Sequence, residues 1–263
     1  MSKPKIAVFS LTSCEGCSLE VLNCENELLA IVGATEITNF REARTNRSDD
    51  YDIAFVDGAV SRESEVEELK KIRGNAKILI AMGACAHIGG LYALKNFRPM
   101  ADAQREVYGD KADWFPTMPA RPLKDFVHVD LALPGCPITR EEFLRVVREL
   151  LMGRKPKLPD FPVCVQCKLR ETVCMYHKNQ VCLGVVARAG CNAHCPAFGR
   201  RCVACRGLVD TPNSQTVKDV MAEHNVTLPQ ILAEFRLYNG WGPNAEPPAS
   251  DDKQESLILK AKR

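Results

Sequence analysis

Eight of the chain's thirteen cysteines fall between residues 164 and 205: Cys164, Cys167, Cys174, Cys182, Cys191, Cys195, Cys202 and Cys205. Thiols this crowded must be paired, held by metal or buried, and each choice dictates the backbone around them. The gaps between them are two, six, seven, eight, three, six and two residues. Eight thiolates divide into two sets of four, and four ligate one [4Fe–4S] cluster, so the spacing points to two iron–sulfur clusters. Two alternatives stay open. Zinc also takes four thiolates, but a zinc ribbon uses two C-x2-C pairs per ion, and this segment has only two such pairs among eight cysteines. Disulfide frameworks belong to small secreted domains. The opening residues lack a secretory pattern, because the apolar run at 6–9 is short and Thr12, Ser13 and Cys14 follow it.

A length of 263 residues allows one large domain or two ordinary ones, and a hydrophobic share of 46% suits a buried core. A formal net charge of +2 supplies no field to gather nucleic acid or an anionic membrane. No apolar run reaches the eighteen or so residues a membrane span needs. Thirteen cysteines without a secretion signal imply a reducing compartment, the cytoplasm.

The first half alternates strand and helix signals. Residues 5–10 (K-I-A-V-F-S) form a short apolar run of the kind found in buried parallel strands. Residues 18–32 have helical periodicity, with Val21, Leu28 and Val32 on one stripe, Leu22 and Leu29 beside it, and Gly33 as the stop. Strands are expected at 35–40, 51–56, 76–82 and 126–131, and helices at 62–73 and 139–152, with a proline-rich loop at 98–122. This order implies a parallel sheet covered on both faces, flavodoxin-like in outline. Residues 1–155 are expected to form that domain and residues 156–263 a second, cysteine-dense one.

Four further cysteines share one address. Cys14 and Cys17 follow the first strand, Cys85 follows the strand ending at Met82, and Cys136 follows the strand expected to end at Leu131. Open α/β sheets bind ligands just past the carboxyl ends of their strands. Gly16, Gly83, Gly89, Gly90 and Gly135 stand beside these cysteines and let backbone approach a bulky group. A third [4Fe–4S] cluster is expected there. Cys24 lies about 10.5 Å along the helix from Cys17 at 1.5 Å per residue, too far to share that cluster, and continues the apolar stripe; it is expected in the core. His87, His177 and His194 have no vacancy to fill, since the cysteines already divide by four. Glu15 is expected to face solvent or a partner.

C-E-G-C after the first strand, G-A-C-A-H-I-G-G, P-G-C-P and the eight-cysteine segment with R-A-G-C-N-A-H-C resemble the small, electron-transferring subunit of nickel–iron hydrogenases. The resemblance covers residues 5–210 and is nearest the cytoplasmic sulfhydrogenase type, the delta subunit of a heterotetramer coupling H2 to NAD(P)(H). It implies three [4Fe–4S] clusters: proximal on Cys14, Cys17, Cys85 and Cys136, medial on Cys191, Cys195, Cys202 and Cys205, and distal on Cys164, Cys167, Cys174 and Cys182. It also implies a large subunit whose nickel–iron centre cleaves H2, and flavin or iron–sulfur diaphorase-type partners that take the electrons. Three features depart from the periplasmic branch of that family. Cys164 replaces a histidine, Cys195 adds a fourth medial thiolate, and a twin-arginine signal is missing. Val185 stands where the family often has proline.

The chain has no nickel motif of its own and no G-x-G-x-x-G after a strand, so it is not expected to split H2 or bind a dinucleotide. Two other readings remain: the iron–sulfur subunit of a complex-I-like, quinone-linked enzyme, and a zinc-stapled interaction protein. Lys168, Arg170, Arg188, Arg200, Arg201 and Arg206 crowd the cysteines, either to offset cluster charge or as an ordinary solvated face. Helices are expected at 214–224 and 228–237, the second with proline in its first turn, and a polar tail at 244–263.

Overall fold

The computed structural model describes residues 3–240. In chain order the elements are β1 (Lys5–Ser10), α1 (Gly16–Leu22), α2 (Asn26–Ala34), β2 (Glu36–Phe40), β3 (Ile53–Asp57), α3 (Glu63–Asn75), β4 (Ile78–Met82), α4 (Gly83–Ile88), α5 (Met100–Tyr108), β5 (Leu131–Leu133) and α6 (Arg140–Leu151). They continue as α7 (Val163–Leu169), α8 (His194–Ala197), α9 (Ser214–Glu223) and α10 (Leu228–Asn239). The strands form one parallel sheet in the order β2-β1-β3-β4-β5. This is the flavodoxin-like order, with its switch point between β1 and β3.

Strand residues alternate between two apolar layers, as a pleated strand requires. Ile6, Val8, Phe55, Ile80 and Met82 enter the layer beneath α1, α2 and α6, where Val21, Cys24, Ile31, Phe143 and Val146 meet them. Ala7, Ala54, Val56, Leu79 and Ala81 enter the opposite layer, closed by Leu69 and Ile72 of α3 and by Leu123. Both faces of the sheet are covered, which explains why its strands read as continuous apolar runs.

Several boundaries differ from those expected. The helix over 18–32 is two helices, broken at Asn23–Glu25. There Cys24 and Glu25 bond back only three residues, to Val21 and Leu22, and Glu25 takes a φ of 47°. The break rotates the apolar stripe, so that Cys24 and Ile31 are buried while Leu29 and Val32 are 71% and 47% exposed. Gly33 does not stop α2. The helix ends at Thr35, whose hydroxyl donates to the Ile31 carbonyl at 2.8 Å. The strand expected at 126–131 forms later, at β5, because Phe126 is still tied to Leu123 in a short 3-10 turn. The proline-rich loop contains α5. The expected tail at 244–263 lies outside the described residues.

Beyond α6 regular structure is sparse. A third apolar cluster gathers Val163, Met175, Tyr176, Leu183, Val186, Ala193 and Ala204, closed by Ile231 of α10. Thr227 and Gln230 cap α10 reciprocally, and Pro229 sits in its first turn. The helix then returns toward the sheet half, where Arg236 stacks on the Phe97 ring at 5.5 Å. Among the described residues no helix is long and apolar enough to cross a membrane.

Candidate functional site

The carboxyl ends of four strands form one row. Ser10 pairs with Asp57, Asp57 with Met82, and Met82 with Leu133. Cys14 and Cys17 follow β1, the second in the first turn of α1; Cys85 lies in the first turn of α4 after β4, and Cys136 in the loop after β5, so residues far apart in the chain converge on one end of the sheet. The Ala84 N–H donates to the Gly135 carbonyl at 2.6 Å, tying the start of α4 to the Cys136 loop. Gly83 has a φ of +87°, and a Cβ there would stand 2.4 Å from the Cys17 sulfur. No other residue fits at that position.

These four thiols feel one another. Burial pushes the Cys85 thiol up to about 12, and negative charge on Cys136, Asp57 and Cys14 adds to the push. Cys17 is pushed up first by burial and then by Asp57, itself buried and raised by desolvation while the Ser13 hydroxyl donates to it at 2.9 Å. Cys136 is raised by burial, opposed by the hydroxyl of Tyr238 on α10, which donates to its sulfur.

The segment beyond α6 makes two more groups. Burial raises Cys164 to about 12, with Cys182, Cys167 and Cys174 as the neighbouring charges. Burial likewise raises Cys205 to about 12, with Cys191 and Cys195 nearest. Cys202 is raised by burial, and Cys182, Cys205 and Cys191 add to it. The groups also touch end to end. The Cys136 N–H points to the Cys205 sulfur, and the Cys202 N–H donates to the Cys182 sulfur at 3.2 Å. The strand-end cysteines thus adjoin Cys205, and Cys202 in turn adjoins Cys182.

Buried thiols whose charged forms are disfavoured by desolvation and by one another are poor sites for bare thiolates, and good ones once cations share the space. The donor set is all sulfur, the preference of iron–sulfur clusters and of zinc. Among the described residues no three His, Cys, Asp or Glu side chains close around a single metal-ion position. All thirteen cysteines are unpaired, and Cys24 is buried in the apolar core with Val21 and Ile31.

The histidines divide. His177 and His194 are exposed. Burial, with Lys124, Arg188 and Arg206 nearby, pulls the His87 imidazole down to about 4, so it is neutral. Glu15 holds a φ of 62°, its N–H bonded to the Ser13 hydroxyl at 2.7 Å. The sequence sets Arg206 in a basic group read either as offsetting cluster charge or as an ordinary solvated face. The structure buries it to 1% exposure against Glu142. Asp57 and Tyr238 were also missed: Asp57 had a legible signal in its strand-end position before a glycine, and Tyr238 had none.

Residues 14–150 match the family described as NADH ubiquinone oxidoreductase, 20 Kd subunit. The chain is 36% identical to sulfhydrogenase 2 subunit delta of Pyrococcus furiosus, over 90% of this chain and 100% of that one. It is 31% identical to the NAD-reducing hydrogenase HoxS subunit delta of Cupriavidus necator, over 60% of this chain and 83% of that protein. A solved NAD+-reducing [NiFe]-hydrogenase in the H2-reduced state contains a chain that aligns with TM-score 0.55 and 30% identity, covering 60% of this chain and 96% of its own length. The fold and the sulfur-lined strand ends define an iron–sulfur subunit of an oxidoreductase complex. The chain belongs to the 20 kDa NADH–ubiquinone oxidoreductase subunit family, in its branch of non-catalytic hydrogenase small subunits.

Proposed function

We propose that this chain relays electrons for a nickel–iron hydrogenase, between the metal centre of a large subunit and a flavin- or NAD(P)-linked partner of the diaphorase type. The observation that carries this reading is the succession of neighbouring cysteines from the strand ends through Cys205 to Cys202 and Cys182. Cys14, Cys17, Cys85 and Cys136 would hold the proximal [4Fe–4S] cluster, Cys191, Cys195, Cys202 and Cys205 the medial one, and Cys164, Cys167, Cys174 and Cys182 the distal one. When bound, the clusters supply one-electron redox centres. The chain's own residues place the sulfurs and set the solvent exposure, charge and hydrogen bonding around them.

The reading divides the chain into residues 1–155, which hold the proximal set, and 156–263, which hold the other two. It places the protein in the cytoplasm, where a reducing milieu keeps thirteen thiols unpaired for metal. A quinone-linked role is less well supported. The family model ends at residue 150, before the eight-cysteine segment, whereas the hydrogenase delta subunit from Pyrococcus furiosus aligns over 90% of this chain.

The test is an iron, acid-labile sulfide and zinc count on anaerobically purified protein. About twelve iron and twelve sulfide per chain is the expected result, four of each for every set of four cysteines. About eleven iron would remove Cys195 from the ligands, and two or three zinc without sulfide would overturn the reading.

A further inference from the structure

Arg206 is the largest fully buried side chain of the described residues, and it follows Cys205 directly. A guanidinium cannot shed its charge, so burying it requires a complete set of acceptors. Each part of this one has an acceptor. Nε donates to the Ala189 carbonyl at 2.8 Å, two residues before Cys191. Nη1 donates to the Pro134 carbonyl at 2.7 Å, two residues before Cys136. Nη2 reaches both carboxylate oxygens of Glu142 on α6, at 3.0 and 2.8 Å. One planar group therefore spans the loop of the strand-end cysteines, the loop of the Cys191 set and a helix packed on the sheet.

The surroundings are shaped for this pair. Gly190 has a φ of +118°, and a Cβ there would stand 2.3 Å from Nη2 of Arg206 and 3.0 Å from Oε1 of Glu142. The glycine of R-A-G-C thus leaves the space the ion pair occupies. Where Arg206 draws the two loops together, the Cys136 N–H meets the Cys205 sulfur.

We propose that Arg206, held by Glu142, is a positioning residue for the junction between the first and second cysteine sets. It fixes where the two sets stand relative to one another and places a full positive charge between them. This rests on the electron-relay reading above. A lysine could keep the charge, but its single ammonium cannot reproduce the planar fork that meets three acceptors at once.

The test uses the anaerobically purified hydrogenase complex, with redox titration followed by electron paramagnetic resonance. Glu142→Gln removes the counter-charge and keeps the shape. It is expected to raise the midpoint potentials of the first two centres and leave that of the third, on the Cys164 set, in place. Arg206→Met is expected to shift the same two potentials down. Arg206→Lys is expected to leave the potentials near wild type while changing the magnetic interaction between the two neighbouring reduced centres and slowing electron passage between them. If Arg206→Met does not assemble, Glu142→Gln and Arg206→Lys decide the matter. Full iron content with unchanged potentials and unchanged magnetic interaction in both variants would overturn the proposal, leaving Arg206 as packing alone. A wild-type complex without three iron–sulfur signals would instead overturn the reading it rests on.

Discussion

The two halves of this chain solve the same problem by different means. From β1 to α6 the backbone is satisfied by a five-stranded ladder and the apolar side chains by two continuous layers. From α7 to Val209 there are short helices, 3-10 turns and isolated bridges, with one smaller apolar cluster and eight cysteines. A segment with so little sheet or helix gains little from cooperative backbone bonding and needs cross-links to remain in one conformation. On the reading proposed above, metal would play a different structural part in each half: in the sheet half the cysteines decorate a fold with two apolar layers of its own, and in the second half thiolate–metal bonds would supplement the smaller apolar cluster.

Removing the metal should separate the halves most sharply. Chelation of iron under anaerobic conditions is expected to open residues 163–209 to proteolysis and hydrogen exchange while the strands of β1 to β4 stay protected. Equal loss of protection in both halves would show that the sheet also depends on the clusters. The complementary change attacks the sheet. Leu79 of β4 is fully buried, and Leu79→Ala should cost about 2–5 kcal/mol, seen as a lower denaturant midpoint. Its effect should fall on the sheet half, with iron bound at Cys164–Cys205 unchanged in the folded fraction.

The smallest expected effect lies where the halves meet. Tyr238→Phe deletes one hydroxyl donor to the Cys136 sulfur and should cost about 0.5–1.5 kcal/mol of stability. It should also lower the potential of the strand-end centre, because a thiolate that loses a donor holds the reduced, more negative state less well. An unchanged potential would mean that Tyr238 only packs α10 against the site.

Particular residues show how far the sequence could be read. The runs at 5–10 and 76–82 and the cysteines after them were legible because a parallel strand buried on both faces is apolar throughout, and its ligands follow its carboxyl end. The break at Asn23–Glu25 was not. The periodicity of residues 18–32 fits one straight helix, and only packing of Cys24 and Ile31 on the sheet shows that the stripe turns. The onset of β5 was displaced for a similar reason. Phe126 and Val127 have strand-like side chains, but their amides bond back to Leu123.

Local patterns were enough to specify the parallel sheet, the place of Cys14, Cys17, Cys85 and Cys136 past the carboxyl ends of its strands, and a second region rich in cysteine. Period and spacing are local properties, and a strand or a C-x2-C turn needs only its near neighbours to be recognised. Long-range folding was required to bury Arg206 rather than leave it solvated, to make Gly190 clear a space for its pair with Glu142, and to bring Tyr238 from α10 to Cys136. Each of these is a contact between distant segments, and a polar side chain in a sequence carries no mark of the acceptors that folding will bring to it.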